Sequence, residues 1–190
     1  MNFRILIFLI SLTSMAQDLP FSTLPSAPET LNVSTSLNRM IQGLGFRFYW
    51  ATEGLRTEDL AYQPSENAQN TLETIAHIYG LSDVILKTVQ GKVAERPPRQ
   101  TPTEFVSLRK ETLKLLEQAS YIVSQLKDEE IEKLKIQFLR GEQTTSFPIW
   151  NLYNGPLSDA LYHTGQVVSF RRSSGNPIAN GVNVFLGIKQ

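Results

Sequence analysis

Residues 68–90 read AQNTLETIAHIYGLSDVILKTVQ, and this stretch indicates the fold class of the chain. Its apolar residues recur at steps of three and four, the spacing of one face of an α-helix. Gly91 follows, at the position where helices commonly end on a glycine. The stretch therefore predicts a helix that carries His77 near its middle, with an apolar face of Leu72, Ile75, Ala76, Tyr79, Val84, Ile85 and Val89.

Three further stretches show the same spacing of apolar residues: 31–55 before this helix, and 101–127 and 156–172 after it. In the third predicted helix Thr101 is a candidate N-cap, with Pro102 in the first position and Glu104 in the place of a capping box. Before the last helix, the charge run 127–135 suits a solvated face or turn, and residues 134–150 suit a short hairpin or irregular strands. The pattern predicts an all-α four-helix bundle with a long crossover before the last helix.

The two ends of the chain differ from this helical middle. Residues 1–16 combine a positive start, a short apolar run and small residues at Ser14 and Ala16, which is typical of a cleaved signal peptide. The apolar run is shorter than the ~20 residues of a membrane span, so the alternative is a short anchor helix. We expect a secreted or periplasmic protein with a linker over 17–30, the bundle over 31–176 and a C-terminal tail over 177–190 that packs on the bundle.

Composition excludes several classes of protein. The chain has 190 residues, 18 Lys and Arg, 18 Asp and Glu, two His and no Cys. The absence of cysteine removes disulfide scaffolds, thiolate metal sites and cysteine nucleophiles together. Balanced charge without a basic stripe argues against a nucleic-acid partner, and no later stretch is long and apolar enough to span a membrane. No Gly-x-Ser-x-Gly segment points to a serine nucleophile.

The two histidines are the candidate metal ligands. His163 follows Asp159 by four residues, so both side chains lie on one face of the last helix. With His77 from the second helix they make a set of two imidazoles and one carboxylate, which suits a divalent ion with open positions. Zinc or nickel, or else iron or manganese, would act there as a Lewis acid. The alternatives are that His77 is a core histidine with one hydrogen bond, and that Asp159 is a negative charge stabilised by its place in the first turn of the helix.

Two motifs resemble those of the DinB/YfiT-like superfamily. One is Thr71-Leu72-Glu73-Thr74-Ile75-Ala76-His77-Ile78, and the other is His163-Thr164-Gly165-Gln166-Val167-Val168. The resemblance covers most of residues 31–175 and implies a four-helix bundle with a metal at its open end. It implies three histidine ligands, the first matched by His77 and the last by His163. The middle ligand falls at Asp159, which departs from the pattern and leaves a vestigial site as the alternative.

Further polar and aromatic residues are candidates for the surroundings of the site. Glu53, late in the first helix, is a candidate base or extra ligand, and a surface carboxylate is the alternative. Gln166 lies one turn after His163, where it either holds a ligand or packs between helices. Candidates for the pocket are Tyr49, Trp50 and Tyr162.

The resemblance implies a metal-dependent enzyme that acts on a small molecule. Relatives include transferases that use small thiols, whereas a metal-activated water, and hence hydrolysis, suits an exported protein better. The alternative is a non-catalytic bundle that binds a small ligand or serves as a structural dimer. A homodimer is expected from the same resemblance.

Overall fold

The computed structural model describes residues 19–95, 98 and 100–190. The predicted signal peptide over residues 1–16 lies outside the described residues. The described chain is mostly helical, with a few short strands. Four helices are long: α1 (Val33–Thr52), α3 (Thr71–Val89), α4 (Phe105–Gln125) and α7 (Ser158–Ser173). Between them lie the short helices α2 (Thr57–Ala61), α5 (Asp128–Glu132) and α6 (Trp150–Leu152).

The long helices pack in four pairs: α1 with α4, α4 with α3, α3 with α7, and α7 with α1. Their shared core is built from large apolar side chains that the periodicity placed on inward faces. Fully buried examples are Leu37, Ile41, Leu44 and Phe48 of α1, Ile75, Ile78 and Ile85 of α3, and Leu108, Leu113 and Leu116 of α4. In the part of the chain that the structure describes, no helix has the length and hydropathy that a membrane crossing requires.

The start of α3 is fixed by a reciprocal cap. The Asn70 side chain accepts from the Glu73 backbone N–H, and the Glu73 carboxylate accepts from the Asn70 N–H, both at 2.9 Å. The helix ends before Gly91, whose φ of +67° suits glycine. The observed bounds lie within three residues of the predicted ones, because cap and glycine are local signals.

The third long helix starts later than predicted. It begins at Phe105 with Glu104 as the N-cap, so the expectation of Thr101 as the N-cap is wrong. Pro102 biases the residue before it toward extended backbone, and the Tyr79 hydroxyl donates to the Gln100 carbonyl at 3.2 Å. This segment therefore runs beside α3 instead of opening a helix.

The crossover contains the hairpin that its sequence pattern suggested. Strand β2 (Lys135–Arg140) pairs antiparallel with β3 (Gln143–Pro148), with Phe138 opposite Thr145. Gly141 takes a φ of +61° at the first position of the two-residue turn, which favours glycine. Strand β1 (Val93–Glu95) adds to β2 in parallel, a pairing between distant segments that no local pattern predicted.

The charge run forms the short helix α5, whose charged residues are mostly exposed, as expected of a solvated face. Ile131 of α5 is fully buried. The Asp128 carboxylate accepts from the Ser34 N–H at 2.9 Å and from the Val33 N–H at 3.4 Å. These are first-turn amides of α1, where a negative charge is stabilising.

The last helical region begins earlier than predicted. Helix α6 continues into a π-helical turn (Tyr153–Leu157), and α7 follows it directly. Pro156 has no N–H to donate, and Gly155 leaves helical geometry with φ −98° and ψ −108°. This kink places Asp159 in the first turn of α7.

The tail after α7 forms two short antiparallel strands, β4 (Val182–Asn183) and β5 (Ile188–Lys189). The Leu24 N–H and the Thr23 hydroxyl donate to the Gly187 carbonyl at 2.7 and 3.2 Å. A side chain at position 187 would overlap Leu24. The tail is thus tied to the segment that precedes α1.

Candidate metal centre

His77, Asp159 and His163 meet between α3 and α7. His77 Nε2 lies 3.4 Å from Asp159 Oδ2, and His163 Nε2 lies 3.3 Å from Asp159 Oδ1. The two imidazole rings are nearly perpendicular, with centroids 4.6 Å apart. One ligand atom from each residue lies within 4.8 Å of the others. The carboxylate therefore bridges the two rings.

The helix geometry explains this convergence. Asp159 and His163 are one turn apart on α7, so their side chains leave the same face. His77 is flanked on α3 by the fully buried Ile75 and Ile78, which fix the rotation of that helix. The side-chain exposures of 38% for His77, 44% for Asp159 and 17% for His163 leave the group open to solvent on one side.

The three side chains fit a divalent metal ion. Two ligands that each lie about 2.1 Å from a tetrahedral ion are roughly 3.4 Å apart. His77 Nε2 lies 3.4 Å from Asp159 Oδ2 and His163 Nε2 lies 3.3 Å from Asp159 Oδ1, so each imidazole is near that spacing from a different oxygen of the carboxylate. Both separations exceed the usual length of about 2.9 Å for a hydrogen bond. Two imidazoles and a carboxylate suit zinc, nickel, iron and manganese.

Gln166 orients the most buried ligand. Its Oε1 lies 2.7 Å from His163 Nδ1. A neutral imidazole that donates from Nδ1 keeps its lone pair on Nε2, the atom that faces Asp159. Such an outer hydrogen bond is the usual way in which proteins fix the tautomer of a metal-binding histidine.

Tyr162 lies at the exposed rim of the centre. Its ring packs edge-on against His163 with centroids 5.2 Å apart, and its hydroxyl accepts from Gln166 Nε2 at 3.4 Å. Gln166, one turn of helix further along α7, thus contacts both the Tyr162 hydroxyl and the His163 ring.

Two cavities flank the centre. One, of about 350 Å³, has His77 in its wall together with Glu73, Gly80, Pro98 and Thr101. The other, of about 240 Å³, has Asp159 in its wall beside an apolar surface. That surface combines Ile136, Phe138 and Phe147 of the crossover hairpin with Leu81 of α3 and Pro156 of the π-helical turn. A small molecule with polar and apolar parts could approach the three side chains from these sides.

The crossover residues were not among the candidates from sequence. Phe138 and Phe147 pack edge to face with centroids 6.2 Å apart. The signal that could have found them is the alternation of apolar residues over 136–147, which places such pairs on one face of a hairpin. Which face meets α7 depends on tertiary packing.

Three of the predicted surrounding residues lie elsewhere. Glu53 ends α1 and forms an ion pair with Arg109 of α4. The Arg109 guanidinium also lies over the Tyr49 ring, 4.7 Å from its centroid. Trp50 donates from Nε1 to the Ser22 carbonyl at 3.1 Å. Within the described residues, the hydrogen bonds, ion pairs and ring contacts of Glu53, Tyr49 and Trp50 involve none of the three candidate ligands.

A second polar cluster is built around the buried Asp59. Its carboxylate accepts from the Arg56 side chain at 2.8 and 3.0 Å, from Ser174 at 2.5 Å and from Asn176 at 2.6 Å. The hydrogen bonds from Arg56 hold the pKa of Asp59 well below its usual range, against the opposing effect of burial. This network ties α2 to the end of α7 and is structural.

Arg171 belongs to the same end of the molecule. Its Nη1 donates to the carbonyls of Trp50, Ala51 and Glu53 at 2.9–3.1 Å, so the guanidinium caps the C-terminus of α1. Burial lowers the pKa of Arg171, and the nearby Asp59 opposes that shift. Arg171 lies on α7, but its side chain stabilises the end of α1.

The structure is similar to that of a DinB-like protein, YjoA, from Bacillus subtilis, with 18% sequence identity and a TM-score of 0.57. It covers 74% of this chain and 93% of that one. No protein-family model and no curated protein matches the sequence. The chain therefore has a DinB-like fold, as its two histidine motifs indicated.

Proposed function

We propose that the chain is a four-helix bundle of the DinB type. A divalent metal ion at its open end, between α3 and α7, would serve chemistry on a small molecule. The four helices of the bundle would be α1, α3, α4 and α7. The pairing of each long helix with two others supports this architecture. Bundles of this kind commonly build metal sites from side chains on facing helices.

The observation that carries the metal assignment is the convergence of His77, Asp159 and His163 at 3.3–3.4 Å across two helices. The carboxylate and the two imidazoles would hold the ion, and Gln166 would keep His163 Nε2 directed at it. Zinc or nickel is the first choice on ligand type, followed by iron or manganese. Asp159 in place of a third histidine lowers the net charge of the loaded site by one.

The reaction class we propose is hydrolysis or group transfer. A divalent ion bound here would supply Lewis acidity, which polarises an oxygen of the substrate and activates water. The residues of the chain would place the substrate in the two flanking cavities, with its apolar part against Phe138 and Phe147. The Tyr162 hydroxyl, which accepts from Gln166 Nε2 beside the His163 ring, would donate a hydrogen bond to a substrate at the exposed rim.

Hydrolysis is favoured over transfer from a small thiol by the expected export of the protein, since such thiols are chiefly cytoplasmic. Export rests on the predicted signal peptide over residues 1–16. We also propose a homodimer, following the resemblance to the superfamily. The competing function is a non-catalytic bundle that binds a small ligand, which the replacement of the middle histidine by Asp159 favours.

The test is the metal content of the purified protein. The chain from Gln17 onward, without tag or chelator, is analysed by mass spectrometry for bound metals beside His77→Ala, His163→Ala and the matched surface variant Glu117→Ala. We expect near one equivalent of metal in the parent and in Glu117→Ala, and a loss of metal in both histidine variants. Circular dichroism checks that all four proteins are folded.

A parent that takes up no zinc, nickel, iron or manganese would overturn the metal assignment. Metal that persists in both histidine variants would place the ion elsewhere. A loaded parent that hydrolyses and transfers nothing in a broad screen would favour the non-catalytic function. Sedimentation of the same samples reports whether the chain dimerises.

A further inference from the structure

A groove with a cavity of about 890 Å³ runs between α1 and α7 and is bounded by the C-terminal tail. The face of α7 that lines it carries Leu161, Gly165 and Val168, whereas Asp159 and His163 point toward α3. The helix itself therefore separates this groove from the candidate metal centre.

The long walls of the groove are apolar. Met40 and Trp50 come from α1, Leu161 and Val168 from α7, and the tail adds Ile178 and Val182. A volume of this size lies within the range of sites that enclose a small ligand, about 300–1,000 Å³.

Three arginines interrupt this apolar surface: Arg39, Arg47 and Arg172. Arg39 donates to the carbonyls of Pro25 and Ser26, and Arg47 donates to that of Gly43. Within the described part of the chain none of the three forms an ion pair, and no carboxylate lines the groove. A chain with equal numbers of acids and bases thus concentrates three unpaired cations on one apolar surface.

The floor of the groove is open at a glycine. No heavy atom outside the backbone of its own helix lies within 4 Å of the place where Gly165 would carry a Cβ. A glycine inside a helix makes that helix less stable than alanine would. Local helix stability would favour a larger residue at this site, and the glycine keeps the floor clear.

We propose that this groove binds a single-chain anionic amphiphile of the fatty-acid class. The hydrocarbon chain would lie along Met40, Leu161 and Val168, and the carboxylate would bind Arg47 and Arg172. Arginine suits this role because its planar fork can bind a carboxylate through two parallel hydrogen bonds. An elongated apolar wall with cations but no anions complements a molecule that has one long apolar part and one acidic end.

The tail completes the groove. Its turn between β4 and β5 carries Val184, Phe185 and Leu186, and Phe185 is 92% exposed. Val184 and Phe185 both line the cavity at its rim. A hydrocarbon chain in the groove would cover Val184 and Phe185 and remove their apolar surface from water.

Trp50 provides a direct readout. The chain has two tryptophans, and Trp150 is 73% exposed and does not line this groove. In a Trp150→Phe background, fluorescence then reports on Trp50 alone. Sodium decanoate is titrated below its micelle concentration in the presence of EDTA, so that the outcome is independent of the metal centre. We expect a saturable change in Trp50 emission.

Two variants and one matched control test the assignment. Gly165→Leu fills the open floor and should abolish binding without a packing clash. Arg172 is exposed, and within the described part of the chain its side chain forms no hydrogen bond. Arg172→Gln should weaken binding by about tenfold, the effect of one lost charge-assisted bond. Arg140→Gln removes the same charge from the β2–β3 turn and should leave binding unchanged.

The choice of probes distinguishes the head group. Decanol should bind at least about tenfold more weakly than decanoate, and decyltrimethylammonium should not compete. Decyl phosphate that binds as well as decanoate would assign the site to anionic amphiphiles with either head group. Equal binding of decanol and decanoate, or equal binding by all variants, would overturn the proposal, as would a titration that does not saturate.

Discussion

The His163 ring is held by Gln166, its neighbour three residues along α7, with 2.7 Å between Nδ1 and Oε1. This bond leaves Nε2 as the atom that faces Asp159. The pair is local to one helix, so it is formed as soon as α7 is formed. The contact that orients the most buried candidate ligand therefore comes from the same helix as the ligand itself.

Gln166→Ala should weaken metal binding while leaving the three ligands in place. Loss of an outer hydrogen bond to a ligating histidine commonly lowers affinity by about 10–100-fold. Competition with a chromophoric zinc chelator measures this change. Gln166→Glu keeps an acceptor for Nδ1 and should retain affinity, and the exposed Gln118→Ala serves as control. Equal affinities for Gln166→Ala and the parent would show that Gln166 only packs there.

Asp159 should behave as a ligand rather than as a helix-terminal charge. Asp159→Ala should weaken zinc binding by about a hundredfold or more, because a site with two imidazoles lacks its third donor. Asp159→His supplies a donor again and should restore binding to a large part. Isothermal titration with zinc measures both. If Asp159→Ala binds as tightly as the parent, Asp159 is not a ligand.

Stability should fall in acid through Asp59. Its pKa is lower in the folded than in the unfolded chain, so on acidification the unfolded state takes up a proton first. The contribution of this carboxylate is therefore complete above about pH 4 and is lost as the pH falls below that value. Urea unfolding between pH 2.5 and 7 measures the free energy of unfolding.

Asp59→Asn separates this residue from the other carboxylates. At pH 7 we expect a loss of about 2 kcal/mol, since the hydrogen bonds from Arg56 and Ser174 lose their charged acceptor. The difference between the parent and the variant should shrink as the pH approaches 2.5. A difference that stays constant with pH would contradict the assigned ionisation of Asp59.

Arg171 and Arg172 should differ sharply despite their adjacency. Arg171→Met leaves one buried and two partly buried carbonyls at the end of α1 without their donor, and should cost about 2–4 kcal/mol of unfolding free energy. Arg172 is exposed, so Arg172→Met should change stability by less than about 0.5 kcal/mol. Thermal and urea unfolding of the two variants check this. Equal losses of unfolding free energy in the two variants would mean that the Arg171 guanidinium does not stabilise the end of α1.

Local signals gave most of the helices and the residues of the candidate centre. The Asn70–Glu73 cap, the glycine after α3 and the i, i+4 spacing of Asp159 and His163 are all properties of short stretches. Such signals act within one turn of helix and need no partner element. The prediction failed at Thr101 because the segment before α4 is held by Tyr79, a residue of another helix.

The crossover shows the opposite case. A short hairpin within 134–150 was among the alternatives, but the parallel pairing of β2 with β1 joins segments more than 40 residues apart along the chain. The contacts of Glu53 and Trp50 likewise depend on Arg109 and Ser22, which periodicity cannot place. Long-range partners are chosen by packing of whole elements.

By itself, the sequence determined that the chain is mostly helical, that His77 lies within one long helix, and that Asp159 and His163 share a face of another. Only the tertiary structure decided that the two helices meet at these residues, with His77 Nε2 3.4 Å from Asp159 Oδ2. It also placed three arginines from α1 and α7 around one apolar groove. The reason is physical: spacing fixes directions within a helix, whereas distances between helices follow from the burial of their apolar faces.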